Sequence, residues 1–509
     1  MGELGFWTIA EREPDRLAVV DADGGRTTFG ALYRAANQLV HGLRAQGLAA
    51  GDVVATVLPN SVEAVALTLA TAQAGLYLVP ANYHLTAAEI DYLVTDSGAK
   101  VLVAHERFGT SVATAGPVRF AIGSVEGFAP YTQLGAGQPE TLPADRTAGA
   151  LMTYTSGTTG RPKGVQRPLS GMDPHQAGEF GTFLFHVYGI PMLGDGVHLV
   201  TAPMYHTAVT NHVTAALNSG HTVVLMDRWT PEGMLERIAE HRVTSTHLVP
   251  TMFHRMLRLP EDERARYDVS SMTHAIHGAA PCPIATKRAM VDWWGPVIYE
   301  YYAASEGGGT LATPEDFEKK PGSVGRPWAI SEIAVTDDDF TRLAPGEVGT
   351  VWIKMRAQTF RYHGDEEKTR RSWRDGFFTV GDAGYLDDDG YLYLCDRKSD
   401  VIIAGGVNIY PAEIESVLLQ HPDVADCAVF GVPDDDWGEQ VKAAVEPMPG
   451  TAADGEAAER LIAYCRESLA AFKCPRSVDF VPDFPRDPIG KVYKRRLRDP
   501  YWAGRDRQI

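Results

Sequence analysis

The stretch Tyr154-Thr-Ser-Gly-Thr-Thr-Gly-Arg-Pro-Lys163-Gly164 is dense in glycine and hydroxyl side chains and closes on one lysine. Backbone N–H groups in such a loop, together with the hydroxyls, can wrap oxyanions, while Lys163 supplies a point charge. The chemistry is that of a triphosphate cradle. It differs from the Walker A loop, whose lysine follows glycine and precedes Ser or Thr; here Pro162 precedes Lys163 and Gly164 follows it.

Outward from this loop, the chain alternates strand and helix. Phe29, Leu32, Leu39, Val40 and Leu43 recur at helical spacing and Gly47 ends the run. Val53–Leu58 reads as a buried strand, Ser61–Ala74 as a helix, and Leu76–Val79 and Lys100–Ala104 as strands flanking a helix from Ala87. Beyond Ala150 the pattern resumes, with strands at His198–Thr201, Thr222–Met226 and Ser245–Val249. Such alternation predicts an α/β fold with parallel sheets covered on both faces. After Pro327 the texture becomes short β-like runs (Ile333–Thr336, Gly349–Lys354, Tyr391–Cys395), predicting a β-barrel-like subdomain over about 328–397. A further α/β unit has a helix at Pro411–Leu419, a strand at Asp426–Val432 and a helix at Ala457–Ala470, with a surface loop at Pro447–Gly455. The acidic triplets 337–339, 387–389 and 434–436 read as solvated turns.

Bulk properties exclude other classes. With 509 residues, 44% hydrophobic and 22% charged, the chain can bury a large core. A formal net charge of −18 disfavours nucleic acid or an anionic membrane as partner. Five dispersed cysteines without CxxC spacing argue against a disulfide framework or a zinc site and fit a reducing cytoplasm. The first ten residues lack a basic n-region, and the apolar run Val65–Pro80 is too short and polar to span a bilayer, so a soluble cytoplasmic protein is expected.

The loop at 154–164 resembles the phosphate loop of the adenylate-forming superfamily, which includes acyl-CoA synthetases, peptide-synthetase adenylation domains and luciferases. Further segments agree in order: His277-Gly-Ala-Ala-Pro281, Tyr299-Glu-Tyr-Tyr-Ala-Ala-Ser-Glu306, Gly381-Asp382, Asp396-Arg-Lys-Ser-Asp400, Gly405-Gly-Val-Asn-Ile-Tyr-Pro-Ala-Glu-Ile-Glu415 and Pro488-Ile-Gly-Lys491. The likeness spans residues 20 to 497 and points to the fatty-acid–CoA ligase-like branch. It implies ATP, Mg²⁺ and coenzyme A as cofactors, with Thr155, Ser156, Gly157, Thr158, Thr159 and Lys163 on the phosphates. Gly278, Ala279, Ala280, Tyr301, Tyr302, Ala303 and Ser305 would line the nucleotide, Asp382 and Arg397 the ribose, and Gly405 and Gly406 the thiol arm. Glu306 would hold the metal, Lys491 would reach the α-phosphate, and His206 would line or gate the acyl pocket. The family further implies a domain 1–397 and a mobile domain 398–509 that rotates about Lys398–Ser399 between half-reactions.

The physics suits the reaction. A carboxylate attacking a phosphate brings anions together, so catalysis consists of neutralising charge and aligning groups. His206-Thr-Ala-Val-Thr-Asn211 carries no carboxylate to pair with an α-amino group, which argues against amino-acid substrates. The expected lining (Val209, Val213, Val249, Met252 and the turn 278–280) is apolar or small. A hydrophobic acid follows: fatty, terpenoid, sterol-derived or aromatic. Transfer to a carrier-protein phosphopantetheine, dependence on a partner adenylating enzyme, and homodimer formation stay open. Ala303 stands where most acyl-CoA synthetases have glycine; either its Cβ crowds the reacting groups or neighbouring changes compensate for it. His274 and His277 read as structural rather than as a metal pair.

Overall fold

The computed structural model describes residues 2–111, 116–155, 162–356, 359–397, 400–405, 407–486 and 492–503. Two sheets form the body of the molecule. The larger contains nine strands; Ile298–Ala304, His274–His277, Ser245–Leu248, Val197–Val200, Thr222–Leu225 and Leu17–Val20 lie side by side in that order, all parallel. The second contains six parallel strands around Val53–Val57 and Val101–His105. One apolar core, including Phe29, Leu32, Leu67, Leu199, Phe253 and Ile276, fills the space between sheets and helices.

Local chemistry sets the helices. Thr28 caps Phe29–Ala45 by accepting from Ala31 N, Ser61 caps Val62–Gln73 in the same way, and Thr86 with Glu89 forms a capping box for Ala87–Asp96. Each observed boundary falls within a few residues of the expectation.

The region after Pro327 is antiparallel as expected. Ser331–Thr336 pairs with Gly349–Met355, which continues to Asp382–Leu386 and Leu392–Arg397. A small three-stranded sheet joins Thr153–Thr155, Lys163–Gln166 and Arg361–Tyr362 and so ties the phosphate loop to this region. Beyond residue 400, Ile402–Ala404, Val407–Ile409, Val424–Asp434 and Gly438–Pro447 form a sheet with its own core of Ile402, Ile414, Val429 and Val445. The strand Gly438–Pro447 is an addition to the sequence reading, which placed a loop only from Pro447 onward. Across to the body, Arg258 Nη2 donates to Val424 O at 2.6 Å, and His254 Nε2 lies 3.1 Å from Ala425 O.

The acidic triplets lie at turns, with Asp434 the last residue of its strand, and Lys320 binds both Asp387 and Asp389. No described helix is long and apolar enough to cross a membrane. All five cysteines are free thiols.

Candidate active site

The site lies at the carboxyl ends of the parallel strands, where open α/β sheets place their ligands. The hairpin of Thr153–Thr155 and Lys163–Gln166 pairs Thr155 with Lys163 and Tyr154 with Gly164. Ser156, Gly157, Thr158 and Thr159 lie outside the described residues, so the tip of the phosphate loop is known only by its base. That base is anchored: Tyr154 OH donates to Asp96 at 2.8 Å, Tyr92 OH donates to Pro162 O at 3.1 Å, and Thr207 Oγ1 donates to Thr153 Oγ1 at 2.9 Å. Lys163 Nζ lies 4.0 Å from Asp365, a weak pairing that leaves the ammonium able to meet phosphate.

The turn after His274–His277 holds Gly278, Ala279 and Ala280. Ala279 has φ +69°, a left-handed conformation that costs an L-residue energy and clusters at functional sites. A Cβ at Gly278 would come within 2.7 Å of the Tyr301 ring, so glycine is required there by packing.

Strand Ile298–Ala304 turns at Ser305–Glu306 into Gly307–Ala312. Tyr302 OH donates to Asp382 Oδ2 at 2.6 Å, and Arg397 Nε lies 3.4 Å from Asp382 Oδ1, across the antiparallel pair that aligns residues 382 and 397. The expected ribose and adenine residues therefore come together. Burial, with the Asp382 carboxylate beside it, holds the Tyr302 phenol well above its ordinary value, so it stays a donor.

Glu306 is 8% exposed, and its Oε1 accepts from Tyr362 OH at 2.8 Å. Its other oxygen fits a hard cation that takes one or two protein carboxylates and completes its shell with phosphate and water. Neither Tyr362 nor two nearby cations were reached from sequence. Arg167 donates to Ser305 O at 2.5 Å and is attracted by Glu306. The Lys368 ammonium lies 3.9 Å from the Tyr362 ring centroid, lowered by burial and opposed by Glu306 and Asp365. Their only sequence signal was basic residues flanking the strands that frame the site.

Ala303 faces a bare position. A Cβ built on Gly309, its partner in the hairpin, would sit 3.0 Å from the Ala303 Cβ. Glycine opposite leaves room for the extra methyl, in line with the compensated variant that the sequence reading set against crowding.

Tyr301 goes the other way. Successive strand residues point to opposite faces, so its ring turns from Asp382 toward His247, whose Nε2 lies 2.9 Å from the Tyr301 hydroxyl. The hydroxyl of Tyr301, expected to line the nucleotide, is thus engaged by His247, while its ring lies against Gly278. His212 of helix Thr207–Asn218 also packs against Tyr301; that helix carries Val209 and Val213, Val249 follows the strand of His247, and these three with Met252 are buried. His206 begins helix Thr207–Asn218, with its ring 4.4 Å from that of Tyr205. His274 stacks on Tyr299 and His277 packs against Phe253, and no cluster of three metal-ligating side chains occurs among the described residues.

In the C-terminal region, Gly405 has φ +58°, donates to Trp437 O and lies so close to the Trp437 ring that a Cβ would meet it at 2.7 Å. Gly406, Lys491 and the expected pivot at 398–399 lie outside the described residues. Nearby in sequence, Asp396 accepts from Ala412 N, and Lys494 pairs with the part-buried Glu415 at 2.7 Å.

Comparison with known proteins agrees with this geometry. The family model described as AMP-binding enzyme matches residues 6–363, and that of the AMP-binding enzyme C-terminal domain matches 413–491. The fatty acid–[acyl-carrier-protein] ligase ScoC of Streptomyces coeruleorubidus is 32% identical, covering 98% of this chain and 96% of its own. A feruloyl-CoA synthase of Amycolatopsis sp is 33% identical, covering 97% and 98%. The crystal structure of the anthranilate CoA ligase AuaEII in complex with anthranoyl-AMP superposes with a TM-score of 0.87 at 26% identity over 98% of each chain. The phosphate hairpin, the Tyr302–Asp382 pair and matches over nearly the whole chain make this protein a member of the AMP-binding enzyme family, in the acyl-CoA synthetase branch of the adenylate-forming superfamily.

Proposed function

We propose that this AMP-forming acid–thiol ligase activates a carboxylic acid with an apolar body as its acyl-adenylate and transfers the acyl group to the thiol of coenzyme A. The supporting observation is the back-to-back arrangement of two sites on one strand. Tyr302 meets Asp382 on one face, offering a nucleotide site; Tyr301 meets His247 and His212 on the other, on the elements that carry Val249, Val209 and Val213, offering an acyl site, with Ala303 and Glu306 at the end of the strand between them.

In the first half-reaction a carboxylate oxygen bonds to the α-phosphorus, the α–β bridge breaks and pyrophosphate leaves. Asp382 accepts from the ribose hydroxyls, Lys163 draws on phosphate charge, and Lys491 meets the α-phosphate. Glu306 would hold Mg²⁺, which supplies charge neutralisation when bound. In the second, sulfur bonds to the acyl carbon, the carbon–oxygen bond to phosphate breaks, AMP leaves and the thiol proton passes to solvent. We retain 1–397 and 398–509 as the units that rotate, with Gly405 and Gly406 admitting the thiol arm, His206 as pocket lining, and the cytoplasm as the compartment, consistent with five free thiols.

The test separates the half-reactions. Lys491→Ala is expected to lower carboxylate-dependent ATP–pyrophosphate exchange about a hundredfold or more, while thioester formation from supplied acyl-adenylate persists. Equal loss in both would refute the assignment. A second reading, with a carrier-protein phosphopantetheine as acceptor, is favoured by the ScoC likeness. Comparing free CoA with a holo carrier protein in the second half-reaction decides between them.

A further inference from the structure

The acyl face of the large sheet is not apolar throughout. His198, His212 and His247 are each at most 5% exposed, on strand Val197–Val200, helix Thr207–Asn218 and strand Ser245–Leu248. The His212 ring centroid lies 4.7 Å from that of His247, 5.9 Å from His198, and 5.8 Å from Tyr188, on which it stacks. On its helix, His212 is three residues from Val209 and so shares a face with it, the face expected to line the acyl site. On the sheet, His247 and Tyr301 are each two residues short of Val249 and Ala303, so they lie about 7 Å below the reacting end.

Much of the polar capacity of this cluster is spent internally. His198 Nδ1 meets Ser245 Oγ at 3.0 Å, and His247 Nε2 meets Tyr301 OH at 2.9 Å. Three atoms are left over. His212 Nε2, His247 Nδ1 and Tyr188 OH are buried and have no hydrogen-bond partner among the described residues. Buried polar groups are normally satisfied, and each exception calls for an occupant. The polarity of one is fixed. His212 Nδ1 lies 2.7 Å from Ala208 O, and a carbonyl can only accept, so Nδ1 bears the proton and Nε2 offers a lone pair.

We propose that this cluster is the inner end of the acyl site and binds a neutral hydrogen-bond donor, such as a hydroxyl, at the far end of the acid substrate. The inference rests on the reading of this face as the acyl site and names what that site selects. A hydrocarbon terminus would leave three polar atoms buried and unmatched. A second carboxylate would find no cation, because burial holds the imidazoles neutral, His212 down to about 4 and His198 and His247 well below their ordinary value. The span of about 7 Å suits an aromatic acid with a hydroxyl opposite its carboxyl group.

The test uses non-hydrolysable sulfamoyl-adenosine analogues of acyl-adenylates in matched pairs: benzoyl with 4-hydroxybenzoyl, and cinnamoyl with 4-hydroxycinnamoyl. Affinities are measured by titration calorimetry on the wild-type chain and on His212→Leu and Tyr188→Phe. In the wild type, the hydroxylated member of at least one pair is expected to bind about tenfold tighter or more, as sites built to bond a hydroxyl discriminate against its absence. The gap should collapse in His212→Leu and narrow in Tyr188→Phe, which removes only an oxygen. Equal affinities within both wild-type pairs would overturn the inference while leaving the adenylate reading intact, with water as the occupant. A gap that survives both substitutions would also overturn it. Failure of every analogue to bind would overturn the adenylate reading itself.

Discussion

The two faces of strand Ile298–Ala304 treat polar groups in opposite ways. On the face of Tyr302, that residue is matched by Asp382, Asp382 also by Arg397, and Glu306 by Tyr362; deeper down, Glu300 is paired with Lys287 at 2.8 Å, while His277 beside it keeps both ring nitrogens without a hydrogen bond among the described residues. On the acyl face, His212, His247 and Tyr188 each keep a buried polar atom unmatched. At its outer end the first face is assembled from its own residues, and on the proposed reading it takes ATP, a constant guest. The second is incomplete without a guest, and so its composition carries the specificity. Rigid, satisfied networks hold geometry, while unmatched buried atoms make selection steep because a wrong guest leaves them unpaired.

This contrast can be broken at three points. The largest effect concerns stability against pH. The His212 pKa, about 4 in the folded chain, lies below the ordinary 6.5, so the unfolded chain binds the proton more readily. Its contribution is fully present above pH 6.5 and declines as pH falls toward 4, by about 3 kcal/mol in all. Urea unfolding at pH 7, 5.5 and 4.5 should show a shallower loss in His212→Leu than in wild type. Parallel curves would mean that the acyl-face imidazoles are not held neutral.

Next, Asp382→Ala removes a charged acceptor, worth about 1.5–3 kcal/mol per bond. The KM for ATP in the exchange reaction should rise about ten- to hundredfold, by the same factor for every acid supplied. A factor that depends on the acid would show that the two faces are coupled rather than separate.

The smallest effect is expected at Ala303, the junction of the two faces. With Gly309 opposite, Ala303→Gly should change the exchange rate by less than about threefold, or about 0.7 kcal/mol. A tenfold acceleration would show that the Cβ does crowd the reacting groups.

Much of this molecule was legible from its chain. Apolar spacing with Gly47 at its end placed the first helix near the observed 29–45, and the helices at 62–73 and from 87 were likewise readable, because such signals are local. The roles proposed for the phosphate loop, Asp382 and Glu306 rest on short motifs in a fixed order, since phosphate, ribose and cation demand particular residue types at close spacing. The strand Gly438–Pro447 was not, because its identity comes from pairing with Val424–Asp434 rather than from its own pattern.

What the sequence by itself determined was the kind of chemistry, the motifs that carry it and the sheet on which they stand. Only the tertiary structure decided which face each side chain serves. Strands buried on both sides, such as Ser245–Leu248 with every residue buried, show no alternation from which an inward or outward direction could be read. Tyr301 and Tyr302 are neighbours of the same residue type, yet one meets His247 and the other Asp382. The grouping of His198, His212, His247 and Tyr188 likewise joins four elements that no local spacing connects. A histidine in an apolar run reads as core until the fold shows that nothing answers its second nitrogen.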